Sequence, residues 1–141
     1  MASRARDWLK QARSDLLHAQ HALEDKDFDW ACFACQQSAE KAAKAVYQHL
    51  HSIVWGHSVL ALLEGLEQHR VIDASFKDVA RRLDKFYIPA RYPNGFQEGA
   101  PVDYYTQAEA EQAISDARLI VEFSANWIEQ SDDQGIPTSL T

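Results

Sequence analysis

Arginine, tyrosine and proline crowd together between Asp84 and Tyr105, where three of the chain's four prolines and four of its five tyrosines fall. Arg91 sits between Pro89 and Pro93, on backbone that the two rings bar from continuing as helix. A guanidinium is always charged and its planar fork matches phosphate oxygens, so an arginine presented on a loop suits phosphate binding. Tyr87, Tyr92 and Tyr105 offer rings on which a base can stack, and Lys77, Arg81 and Lys85 follow at i, i+4 and i+8 on the approach. Simpler roles exist for the same residues. Arg91 can pin the loop by pairing with Asp84, Glu98 or a helix C-terminus, and a basic stripe can be a solvated helix face.

A second polar group lies upstream in an apolar run. Gln37, Glu40, Lys41 and Lys44 form a supporting patch beside Gln36, with Glu40 and Lys44 at the spacing of a helical ion pair. His57 follows a break at Gly56 and either caps or packs at a helix start, or carries a proton. Cys32 and Cys35 have redox-pair spacing, but no strand precedes them and their helical surroundings predict buried packing. His18 with His21, and His49 with His51, lack the cysteine or carboxylate companions of a metal site. With no Gly-rich phosphate loop either, neither a metal nor a cofactor is expected. Trp8, Trp30, Trp55 and Trp127 read as core or interface anchors.

The elements that must position these groups are helical. Ala5, Trp8, Leu9, Ala12, Leu16, Ala19 and Leu23 recur at steps of three and four, predicting a first helix over residues 4 to 25. Asp27 or Asp29 can cap a second, over 28 to 51, whose many small residues allow neighbours to approach closely. Val59, Leu60, Leu62, Leu63 and Leu66 make a short, strongly apolar third helix beginning at His57 or Ser58. Ser75 with Asp78 reads as a capping box for a fourth with Phe76, Val79, Ala80, Leu83 and Phe86 inward, ending near Tyr87. Thr106 with Glu109 opens a last long helix through Ile128, and no strand pattern appears. The fold class is therefore all-α, an up-and-down bundle of about five helices, three long and two shorter, packed around the second.

At 141 residues and 46% hydrophobic content the chain reads as one domain over residues 1–130, with 131–141 as a loose tail. Neither a membrane span nor a secretory leader is visible, so a cytoplasmic protein is predicted. Net charge is -7, which excludes a protein that coats nucleic acid by charge alone. That average hides an asymmetry. Residues 77 to 91 carry five basic and two acidic side chains, while 92 to 141 carry one and nine.

In order, Trp8, Ala12, Asp15, Leu16 and Ala19; the run from Ala31 through Gln36-Gln37-Ser38-Ala39-Glu40-Lys41 to Ala45; Gly56-His57-Ser58-Val59; Tyr87-Ile88-Pro89-Ala90-Arg91-Tyr92-Pro93; and Tyr105 before Ala108 together resemble the HEPN domain, a nucleotide-binding helical domain. The likeness covers residues 4 to 129. It implies a helical bundle, a homodimer, and pairing with a minimal nucleotidyltransferase in a two-component, toxin and antitoxin type system. Many members resemble metal-independent ribonucleases in which four to six residues separate an arginine from a histidine. Counting on from Arg91 reaches Phe96, Gln97 and Glu98, so the arginine matches and the histidine does not. Arg13 and His18 have that spacing only by coincidence, inside the first helix.

The sequence thus favours a module that binds a nucleotide or RNA through Arg91, rather than an enzyme. One alternative is a metal-independent endoribonuclease toxin using Arg91 with His57 as proton carrier. The other is a non-catalytic interaction partner whose loop docks on the nucleotidyltransferase.

Overall fold

The computed structural model describes residues 3–140, with side chains for 3–130. Six α-helices are present among them: α1 (Ala5–Glu24), α2 (Phe28–His49), α3 (Val59–Leu66), α4 (Ala74–Asp84), α5 (Pro101–Tyr104) and α6 (Gln107–Leu140). No strand occurs among the described residues, and the architecture is an all-α bundle. The three long helices and the shorter α3 and α4 follow the sequence periodicity; α5, a single turn begun by Pro101, is additional. The tail anticipated over 131–141 lies outside the residues whose side chains are described.

Packing follows from residue size. In α2, Ala31, Cys32, Ala34, Cys35, Ala39, Ala42, Ala43, Ala45 and Val46 are all buried, and small side chains on several faces let α1, α3, α4 and α6 close around it. α1 contributes Ala5, Leu9, Ala12 and Ala19 as anticipated, while Trp8, Leu16 and Leu23 are half-buried against the same core. α6 adds Ala110, Ala113, Ile114, Ala117, Ile120, Val121, Trp127 and Ile128. Cys32 and Cys35 are free thiols within this core, as their surroundings indicated. The four tryptophans divide: Trp127 is buried and Trp8 half-buried, but Trp30 and Trp55 are 51% and 87% exposed and stand outside the core.

The caps differ in detail from the sequence reading. Asp27 occupies the α2 cap position without a side-chain bond. α4 is capped by Asp73, whose carboxylate accepts from the Ser75 amide at 3.0 Å, so the cap lies two residues before the anticipated Ser75. Thr106 and Glu109 do form the reciprocal box, each accepting from the other's amide at 3.2 Å. At α3, Ser58 is the cap, and Asp84 from the end of α4 accepts from the Ser58 hydroxyl and the Val59 and Leu60 amides at 2.8 to 3.0 Å. Gly65, inside α3, is a glycine because a Cβ there would run into the Tyr47 hydroxyl, which donates to the Leu62 carbonyl at 2.7 Å.

Candidate functional site

The loop after α4 begins with a turn in which the Arg91 amide donates to the Ile88 carbonyl at 3.1 Å, around Pro89. Ala90, within this turn, is buried. Arg91 is thereby aimed back across the loop. Its Nε donates to the Tyr87 carbonyl at 2.8 Å, and its guanidinium lies over three rings, Phe33 at 4.4 Å, Tyr87 at 4.7 Å and Tyr92 at 5.1 Å. Ring faces attract a cation without neutralising it. Among the described residues Arg91 makes no ion pair, so neither Asp84 nor Glu98 holds it.

His57 reaches the same ring from the α2–α3 connection. Its imidazole stacks on Tyr87, with centroids 4.8 Å apart and planes within 16°. Gly56 turns the chain into this position with φ +105, a conformation that a side chain would strain. From behind, α2 supplies the support. Gln36, fully buried, donates to the His57 carbonyl at 2.6 Å, and Glu40, 5% exposed, lies 3.2 Å from His57 Nδ1 and 3.1 Å from Lys44 Nζ. An ionised carboxylate can only accept, so this contact suits a proton on Nδ1 and leaves Nε2 as the other ring nitrogen. The result is a charged arginine and a positioned imidazole sharing one tyrosine.

Other candidates fall elsewhere. Tyr105 packs against Phe86 at 5.8 Å and Phe96 at 6.5 Å, half-buried; burial, then the nearby Cys32, Glu109 and Asp29, push its hydroxyl up to about 12. Lys77 pairs with Glu67 at 3.2 Å and Arg81 with Asp78 at 2.8 Å, while Lys85 lines a groove with Phe86 and Glu109. Among the described residues none of the three pairs or hydrogen-bonds with Arg91. Arg82 grips the buried Asp116 through two hydrogen bonds of 2.8 and 2.9 Å, and bonding to that carboxylate raises its own pKa. The α2 patch also divides. Glu40 faces His57 and holds Lys44, whereas Lys41 binds Asp15 of α1 at 2.5 Å and Gln37 donates to Gln36 at 2.8 Å.

Phe33 is the site residue that the sequence reading passed over, while Gln36, read there beside the α2 patch, is the one that holds the His57 carbonyl. Phe33 looked like one more core residue, but it stands three residues after Trp30 and four before Gln37, on a face that α1 leaves partly open. Gln36 and Glu40, four apart, mark the face of α2 that meets His57. Among the described residues, no three histidine, cysteine or acidic side chains come together as a metal site, and no helix is long and apolar enough to cross a membrane.

Known proteins share this arrangement of helices. TT1696 from Thermus thermophilus is similar in structure with a TM-score of 0.87 and 43% identity, over 89% of this chain and 99% of its own. ST0689, an archaeal HEPN homologue, matches with a TM-score of 0.77 and 38% identity over 90% and 99% of the two chains. A HEPN domain protein of Thermotoga maritima, tm0613, matches at 0.72 and 34%, over 87% and 98%. A more distant relative, 24% identical over 135 residues and 89% of each chain, is the Methanocaldococcus jannaschii protein named "Putative toxin MJ1304". The family model described as HEPN domain matches residues 5–127, nearly the whole of the bundle that carries Arg91 and His57, and the chain belongs to the HEPN domain family.

Proposed function

We infer that this HEPN domain binds the phosphate of a nucleotide or RNA at Arg91, with Tyr87 and Tyr92 as flanking rings and His57 as a second donor or acceptor. The observation that carries the reading is the state of Arg91: held by three rings and one backbone carbonyl, it keeps its terminal nitrogens and full charge for an anion. Lys77, Arg81 and Lys85 raise the potential along the approach, and Tyr105 braces the loop through Phe96. Within a cell the module works in the cytoplasm as a homodimer, as one half of a two-component system with a minimal nucleotidyltransferase; the name of the M. jannaschii relative fits a toxin role. Titration with nucleoside monophosphates and short RNA tests it. Arg91→Ala is expected to weaken binding about tenfold to a hundredfold, the worth of a charge-assisted hydrogen bond, with the melting temperature nearly unchanged. Equal affinity in the variant removes the reading.

A second reading, a metal-independent endoribonuclease, is supported by one feature, the carboxylate of Glu40 behind His57. That support leaves Nε2 able to take a proton from a 2′-hydroxyl while Arg91 stabilises charge on phosphorus. The assay is RNA cleavage in EDTA by the unmodified protein, His57→Ala, Arg91→Ala, and Phe96→His, which restores the family spacing. Cleavage lost in both single alanine variants establishes a nuclease. No cleavage by the unmodified protein, with activity gained in Phe96→His, leaves binding as the function.

A further inference from the structure

Arg91 is not the end of the surface it belongs to. Phe33, beneath its guanidinium, also lines a groove of about 230 Å³ between α1 and α2 with Asp15, His18, Trp30, Gln37 and Lys41. Trp30 meets Phe33 edge-on at 6.0 Å and is 51% exposed, on the helix that is otherwise the most enclosed in the bundle. The ring contacts run on without a gap. Trp30 touches Phe33, Phe33 lies 6.2 Å from Tyr87, and Tyr87 carries His57 at 4.8 Å.

We propose that this groove is a base-binding subsite, and that the ligand of the Arg91 site is a single-stranded nucleic acid rather than a lone nucleotide. The inference rests on the phosphate reading above and extends it. With a phosphate on Arg91 and its own base beside Tyr87 and Tyr92, the base of the neighbouring nucleotide comes within reach of Phe33 and Trp30, because Phe33 lies under the guanidinium and also lines the groove. The groove is smaller than the roughly 300 to 1,000 Å³ of sites that enclose a whole ligand, and its size suits one flat ring system. Its chemistry suits a base as well. The one carboxylate there, Asp15, is bound by Lys41 at 2.5 Å and so does not repel a strand, while His18 and the carbonyl oxygen of Gln37 stand ready for base edges. Exposed aromatic faces beside a bound cation are how proteins hold single strands without reading sequence, each stacked base adding substantially to affinity.

Calorimetric titration at one fixed salt concentration, with uridine 5′-monophosphate and a six-residue uridine oligonucleotide, tests it. The oligonucleotide is expected to bind at least tenfold more tightly than the monophosphate. Trp30→Ala should abolish most of that advantage while leaving monophosphate affinity unchanged; Trp30→Phe should keep it; Arg91→Ala should weaken both ligands. Equal affinity of the two ligands, or an advantage that survives Trp30→Ala, overturns the subsite and leaves the phosphate site standing. A Trp30→Ala protein whose sedimentation changes while its oligonucleotide binding does not assigns the face to a second copy and also overturns it. Failure of both ligands to bind removes the phosphate site and this one together.

Discussion

Glu40 serves two partners at once, the imidazole of His57 at 3.2 Å and the ammonium of Lys44 at 3.1 Å, from a nearly buried position on α2. Removing one member of such a pair strands the other charge, so Glu40→Gln is expected to destabilise the fold by about 2 kcal/mol in urea unfolding. The double variant Glu40→Gln/Lys44→Met should recover part of the loss, because it removes the stranded ammonium; no recovery would mean that Glu40 acts through His57 alone. At this scale the sequence disclosed the pair and not its purpose. Glu40 and Lys44 are four apart on one helix, whereas His57 is seventeen residues from Glu40 and joins it only because Gly56 turns the chain back. Arg91, Tyr87 and Tyr92 were visible for the opposite reason, being near neighbours in one loop. Phe33 was not, since the hydrophobic pattern marks which residues are apolar and not which of them a neighbouring helix leaves uncovered.

Among the elements, the junction of α3 and α4 depends on Asp84, which accepts three hydrogen bonds from the start of α3. Replacing it by alanine strips α3 of its carboxylate where the helix's positive end is strongest, and Asp84→Ala is expected to cost about 2 kcal/mol. Thermal unfolding checks this, and a loss no greater than that of Lys85→Ala would refute it. Helix periods laid out α1, α2, α3 and α4 to within a few residues, and the start of α6, because each buries a continuous stripe; α6 runs on to Leu140, past Ile128 where its apolar period ends. The caps were less legible: Asp73, Ser75 and Asp78 are all competent cap residues within six positions, and the choice depends on where Ile72 enters the core. α5 escaped notice because one turn started by a proline has no period to detect.

For the whole molecule, the buried polar hydrogens set the alkaline limit. Burial, with Glu109 and Asp29 nearby, lifts the Cys32 thiol from its ordinary 9.0 to about 12, and Cys35 moves in the same direction. Tyr105 rises from 10.0 to about 12. The folded state holds these groups protonated while the unfolded chain ionises them earlier, so their contribution is complete below about pH 9 and is lost as pH rises toward 12. The melting temperature should therefore fall between pH 9 and 11, and less steeply in Cys32→Ala/Cys35→Ala. An equal fall in that variant would place the cause elsewhere. The same Asp84 that ends α4 also fastens the residues just after His57, and Arg91 follows seven residues downstream, so the imidazole and the guanidinium depend on one anchor. Local opening at that anchor frees both arms together. In amide hydrogen exchange, Val59, Leu60 and the turn at Arg91 should behave as one cooperative unit, which a ligand bridging His57 and Arg91 would slow in unison.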